Sequence, residues 1–134
     1  MTITRRSACA ALAALPLAAR AHTPPQNKET APMYGLIGKI RAQPGQRDAL
    51  IAILLEGTVA MPGCLSYGIG KDKADADALW VTETWDSQAS HKASLSLPAV
   101  QAAIAKGRPL IAGFGERFET EPVGGHGSMT KRSA

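Results

Sequence analysis

The stretch Met61–Trp85, MPGCLSYGIGKDKADADALWVTETW, limits what this chain can fold into more than any other. Pro62-Gly63 is a turn pair. Cys64 to Lys71 and Ala78 to Trp85 are short strand-forming runs, and the polar segment between them is a hairpin loop. Side chains alternate across a strand, so Trp80 takes the opposite face from Glu83 and Trp85. Only one of those faces can look into a pocket, and the pattern leaves open which.

The flanking segments complete a sheet-and-helix layer. Tyr34 to Ala42 reads as a first strand, with Leu36, Gly38 and Ile40 on one face and Ile37, Lys39 and Arg41 on the other. Gly35 and Gly38 weaken this strand locally and allow a side chain or ligand to approach its backbone. Pro44-Gly45 leads into a helix through about Glu56. Its buried stripe is Leu50, Ile53 and Leu54, at i, i+3, i+4 spacing, and Gly57 stops it. Ser87 or Asp86 caps a short helix running to about Leu95. Pro98 opens another, Ala99 to Lys106, with Gly107 just past its end. The last strand, Leu110 to Thr120, places Phe114, Glu116, Phe118 and Thr120 on one face. The order β-α-β-β-α-α-β is the ferredoxin-like, split βαβ pattern of an α+β domain. It predicts a four-stranded antiparallel sheet with helices on one face. A sheet covered on one face only leaves the other needing a partner. A core of about 90 residues is also small for one hydrophobic interior. Both points favour a homodimer.

The ends read differently from the core. Met1 to Arg6 is basic, Ser7 to Ala19 is apolar, and Ala19-Arg20-Ala21 is an A-x-A site. This is the pattern of a secretory signal over residues 1–21, cleaved before His22, and it implies a periplasmic or secreted protein with no stable membrane anchor after cleavage. Thr4-Arg5-Arg6-Ser7 also fits a twin-arginine signal, so both export routes stay open. Residues 22–33 read as a flexible leader and 124–134 as a disordered tail, leaving 34–123 as the domain. Three of the fifteen basic residues lie in the signal, so twelve remain against eleven acidic ones. No basic stripe is left, which excludes the electrostatic footprint of a nucleic-acid binder. Cys64 is the single cysteine after cleavage and reads as a small buried residue rather than a reactive thiol.

Signatures of common cofactor enzymes are missing from the sequence. It has no GxGxxG ahead of a helix, no phosphate loop, no CxxC and no HExxH. His22, His91 and His126 are too scattered for a metal site. Asp72, Asp75 and Asp77 lack EF-hand spacing and read as a solvated loop.

The motifs nonetheless occur in a telling order: a strand, a PG-started helix, a PGC-x-x-Y strand (Pro62 to Tyr67), a strand ending E-x-W (Glu83 to Trp85), and a helix. In this the chain resembles the antibiotic biosynthesis monooxygenase family, including its quinol monooxygenase branch, over roughly Tyr34 to Gly125. The resemblance implies a dimeric α/β barrel built from two ferredoxin-like sheets. It also implies cofactor-independent oxygenation of a quinol or polyphenol by O2, with no flavin, haem or metal. A base tuned near the working pH points first to His91, the one histidine in the core, with Tyr67 as hydrogen-bond partner for a phenolate. Trp80, Trp85 and Phe114 are candidate ring-stacking walls, and Glu83 a candidate substrate contact. Each has a plainer alternative: Trp85 and Phe114 as packing residues, Glu83 as a structural carboxylate, His91 as an exposed bystander. The family's quinol-oxidising members carry a histidine nine residues after the E-x-W tryptophan. Here that position is Ser94, and His91 stands one helical turn earlier on the same face. The haem-degrading branch would need its asparagine, tryptophan and histidine at Ile40, Ser94 and Ile104, and none matches. The rival reading is a non-catalytic periplasmic protein that binds a hydrophobic aromatic ligand in the same cleft.

Overall fold

The computed structural model describes residues 31–127. The expected export signal, most of the expected leader and the end of the expected tail lie outside the described residues. The chain runs β1 (Tyr34–Ala42), α1 (Arg47–Gly57), β2 (Cys64–Lys71), β3 (Ala78–Trp85), α2 (Gln88–Ser94), α3 (Pro98–Gly107), a 3-10 turn (Arg108–Leu110) and β4 (Ile111–Thr120). All pairings are antiparallel, in the order β2-β3-β1-β4. The expected α+β, ferredoxin-like layer is therefore present. Pro44-Gly45 forms a turn ahead of α1 rather than its first residues, with Gly45 at φ 75°, a conformation suited to glycine.

The strand register sorts the side chains into two faces. Tyr34, Leu36, Gly38, Ile40 and Ala42 of β1 stand beside Trp85, Glu83, Val81 and Leu79 of β3 on the helix side. Leu50, fully buried, packs there against Ala42, Leu79 and Val81, with Ile40, Ile51, Leu54 and Ile69 around them. Helix α3 lies against α1 so closely that a side chain at Gly57 would run into Ala103. This close approach explains a glycine at the end of α1.

On the uncovered face, Trp80 donates its indole N–H to Asp72 Oδ2 at 2.8 Å. Lys39 Nζ is 3.2 Å from the same carboxylate and 5.4 Å from the Trp80 ring centre. Asp72 Oδ1 accepts the backbone N–H groups of Ala74 and Asp75. Arg47 Nη1 donates to the carbonyls of Asp72, Asp75 and Ala78. The acidic β2–β3 loop is thus a fastening, with its charges spent on internal bonds. Donation from Trp80 first, then from the loop N–H groups and Lys39, holds the Asp72 carboxyl well below the usual carboxylate range.

Strand β4 departs from the simple alternation. Ile40 pairs with Phe114 but Gly38 pairs with Arg117, so β4 carries one extra residue there. Such a bulge reverses which face the following side chains take. Phe114, Arg117 and Glu119 therefore share the helix side, while Phe118 and Thr120 face the other way. The expectation that Phe114, Glu116, Phe118 and Thr120 share one face is corrected accordingly. A bulge beside Gly115 is invisible to a period-two reading.

Candidate active site

Two parts of the helix side are closed. Helix α1, backed by α3, covers the Ala42–Leu79 end, and α2 covers the Trp85 end. Between them the sheet opens into a groove of about 270 Å³, lined chiefly by Leu36, Gly38, Tyr67, Val81, Glu83 and Arg117. The floor is apolar. Glu83 is the carboxylate among these residues that stands beside Tyr67, its cross-strand neighbour on β2.

Glu83 is held from behind. Trp85 donates its indole N–H to Glu83 Oε2 at 2.8 Å, and His91 Nε2 lies 3.7 Å from the same oxygen. The side chains of Glu83 and His91 are each 12% exposed. The His91 ring rests between Trp85, edge-on at 5.4 Å, and Tyr34, tilted at 5.2 Å. Tyr34 in turn donates its hydroxyl to Glu119 at 2.8 Å.

Helix α2 is positioned locally. Ser87 caps it, its Oγ accepting Ser90 N–H at 3.2 Å. Asp86 N–H donates to Gly63 O at 2.9 Å. Gly63 has φ 82°, and a side chain there would strike Ser90. The Pro62-Gly63 turn seen in the sequence is therefore what lets α2 bring His91 down to Glu83.

Burial raises the proton affinity of Glu83, against the lowering effects of the Trp85 N–H and of His91 and Arg117. Burial, then the Glu83 charge, pushes the Tyr67 phenol far above its usual value, so it stays a neutral donor. Cys64 is shifted upward for the same two reasons, the reverse of an activated thiolate. Among the described residues no three His, Cys, Asp or Glu side chains converge as a metal set.

The sequence candidates divide. Tyr67, Glu83 and Phe114 line the groove, although Phe114 is 76% exposed and forms an outer lip. His91 stands behind Glu83 and reaches the groove through it. Trp85 is 1% exposed and is a packing residue that also orients Glu83. Ser94 is 4% exposed, with its hydroxyl donated to His91 O at 2.6 Å. A histidine there would overfill a closed space. Trp80 lies on the opposite face of the sheet. Sequence reading missed Tyr34, which shares the Trp85 rung of the sheet, and Arg117, whose face depends on the β4 bulge.

Comparison with known proteins gives a consistent picture. The antibiotic biosynthesis monooxygenase family profile matches residues 33–106. A Chloroflexus aurantiacus protein, provisionally named an antibiotic biosynthesis monooxygenase, is 72% identical over 71% of this chain and 97% of its own, with a TM-score of 0.70. A similarly named Caulobacter crescentus protein has 22% identity, covers 70% and 92% of the two chains, and superposes with a TM-score of 0.64. A Pseudomonas aeruginosa protein has 21% identity, 70% and 97% coverage and a TM-score of 0.61. The last two show the shared fold alone. No curated protein matches the chain.

Proposed function

Because the chain belongs to the antibiotic biosynthesis monooxygenase family, we propose that its groove oxygenates a quinol or polyphenol with O2, the substrate supplying the electrons. One observation carries the reading: a carboxylate of raised proton affinity, Glu83, on the wall of an apolar groove beside a neutral phenol, Tyr67. Glu83 takes a proton from the bound quinol hydroxyl. Tyr67 donates a hydrogen bond to the anion that remains. The electron-rich ring then reduces O2. One oxygen atom enters the ring and the other leaves as water, so a quinol becomes a hydroxyquinone. The ring gives all the electrons that dioxygen needs, and no external reductant enters the balance.

The groove suits such a substrate. An enclosed cavity of about 150 Å³ admits benzene, and this open groove, at about 270 Å³, has room for such a ring. His91 acts through Glu83: it sits 3.7 Å from the carboxylate and favours its charged form. Turnover under ¹⁸O₂ is expected to place one labelled atom in the product ring. Label recovered only as hydrogen peroxide would contradict oxygenation.

The protein is further proposed to work as a homodimer joined through the uncovered sheet face. That face carries Ile37, Trp80 and Phe118, and Phe118 is 54% exposed. Obligate interfaces of this kind bury roughly 2,000 Å² or more in total. Sedimentation at low micromolar concentration should give a dimer. A compact folded monomer would refute the assembly.

A further inference from the structure

The groove has an unusual floor. Gly38 sits at its centre, flanked along β1 by Leu36 and Ile40 and across the sheet by Val81 and Arg117. A Cβ built on Gly38 meets nothing within 4 Å. Its φ is not in the left-handed region. The other glycine on β1 behaves differently: a Cβ at Gly35 would meet Thr120 Oγ1 and Pro122. Gly35 is needed for packing. Gly38 has neither a left-handed φ nor a neighbour that a Cβ would strike, and interior glycine weakens a strand. What its missing side chain leaves is space in the groove.

We propose that Gly38 sets the substrate class by size, its bare backbone being the surface on which a planar aromatic of up to two fused rings lies flat. This rests on the groove being the quinol site. The register supports the pose. Gly38 pairs with Val81, and Glu83 is the next residue on the same face of β3, so the two are diagonal neighbours. Diagonal positions lie about 7–8 Å apart, a distance that a ring centred on Gly38 and one hydrogen bond from its hydroxyl span together. The far edge of a second ring then extends over Ile40 toward Phe114, the exposed lip of the groove. Each carbon added at Gly38 rises into the plane where the rings would lie.

The test is a size series, Gly38→Ala, Gly38→Val and Gly38→Leu. Binding of phenol and 1-naphthol is measured by calorimetry, which needs no turnover. Circular dichroism and thermal melts check that each variant folds, and a Cβ at Gly38 meets no neighbour within 4 Å. Wild type should bind both ligands. The naphthol-to-phenol affinity ratio should fall stepwise, about tenfold per step, the order of effect of one methylene in an apolar pocket. Gly38→Leu should weaken phenol as well, by less than it weakens naphthol. A ratio that stays within about twofold across folded variants overturns the proposal, as does a wild type that binds neither ligand. A wild type that binds both, with the stepwise fall, yet consumes no O2 with any quinol supports the size inference while sinking the oxygenase reading.

Discussion

Glu83→Gln is expected to lower quinol turnover by roughly 10²–10⁴, the usual contribution of a positioned general base, while leaving the fold intact. Glutamine keeps the shape and can still accept the Trp85 N–H, but it cannot take a proton. The wild-type pH profile should carry the same signature. Activity needs the carboxylate charged, so the rate falls as pH drops through the Glu83 pKa. Burial raises that pKa above the ordinary glutamate value, so the fall comes at higher pH than for a free carboxylate. Stability runs the other way. A pKa raised by folding means the folded state holds the proton more tightly. The group therefore stabilises most fully below its unfolded pKa, and that contribution is lost as pH rises through the folded value. Glu83→Gln should accordingly melt at the same temperature as wild type, or higher, near pH 7. Unchanged turnover in a folded Glu83→Gln protein would remove Glu83 from the chemistry and return the role to His91.

Trp85→Ala should cost about 3–5 kcal/mol, the range for truncating a buried aromatic. Trp85 is among the largest fully buried side chains, at 1% exposed. It stacks edge-on against His91 and holds Glu83 through its N–H. For a domain near 100 residues each kcal/mol shifts the melting temperature by about 4–8 °C, so a drop of well over 10 °C is expected. Trp85→Phe separates packing from orientation. It keeps most of the volume and removes the N–H, whose donation lowers the Glu83 pKa. The acid limb of the rate profile should then move to higher pH. A melting temperature within a few degrees of wild type for Trp85→Ala would show that the α2 end of the core does not depend on this indole.

Much of the fold was legible because it rests on local signals. The bounds of β1, β2 and β3 follow from alternation and the glycine and proline pairs beside them, and the structure has the same ones. Ser87 caps α2 as its type suggests. What was not legible depends on register. The β4 bulge separates Phe114 from Phe118, and no pattern in IAGFGERFET marks it. The 3-10 turn Arg108–Leu110 delays β4 by one residue. The pocket face could not be chosen from β3 alone. It needed Leu50 seated over Leu79, which identifies the helix side and with it Glu83 over Trp80. Histidine drew attention as the residue type best suited to be a base. Burial of Glu83, visible only in the assembled sheet, makes the carboxylate the group that meets the groove.

Oxygen uptake tests the central claim most directly. Purified protein, stripped with chelator and given no flavin, haem or metal, is added to a panel of one- and two-ring quinols in a closed oxygen electrode. The account predicts uptake well above autoxidation, one O2 per quinol, with a hydroxyquinone as product and the rate collapsing in Glu83→Gln. Uptake no faster than autoxidation for every quinol, or uptake that starts only when a flavin is supplied, would contradict it.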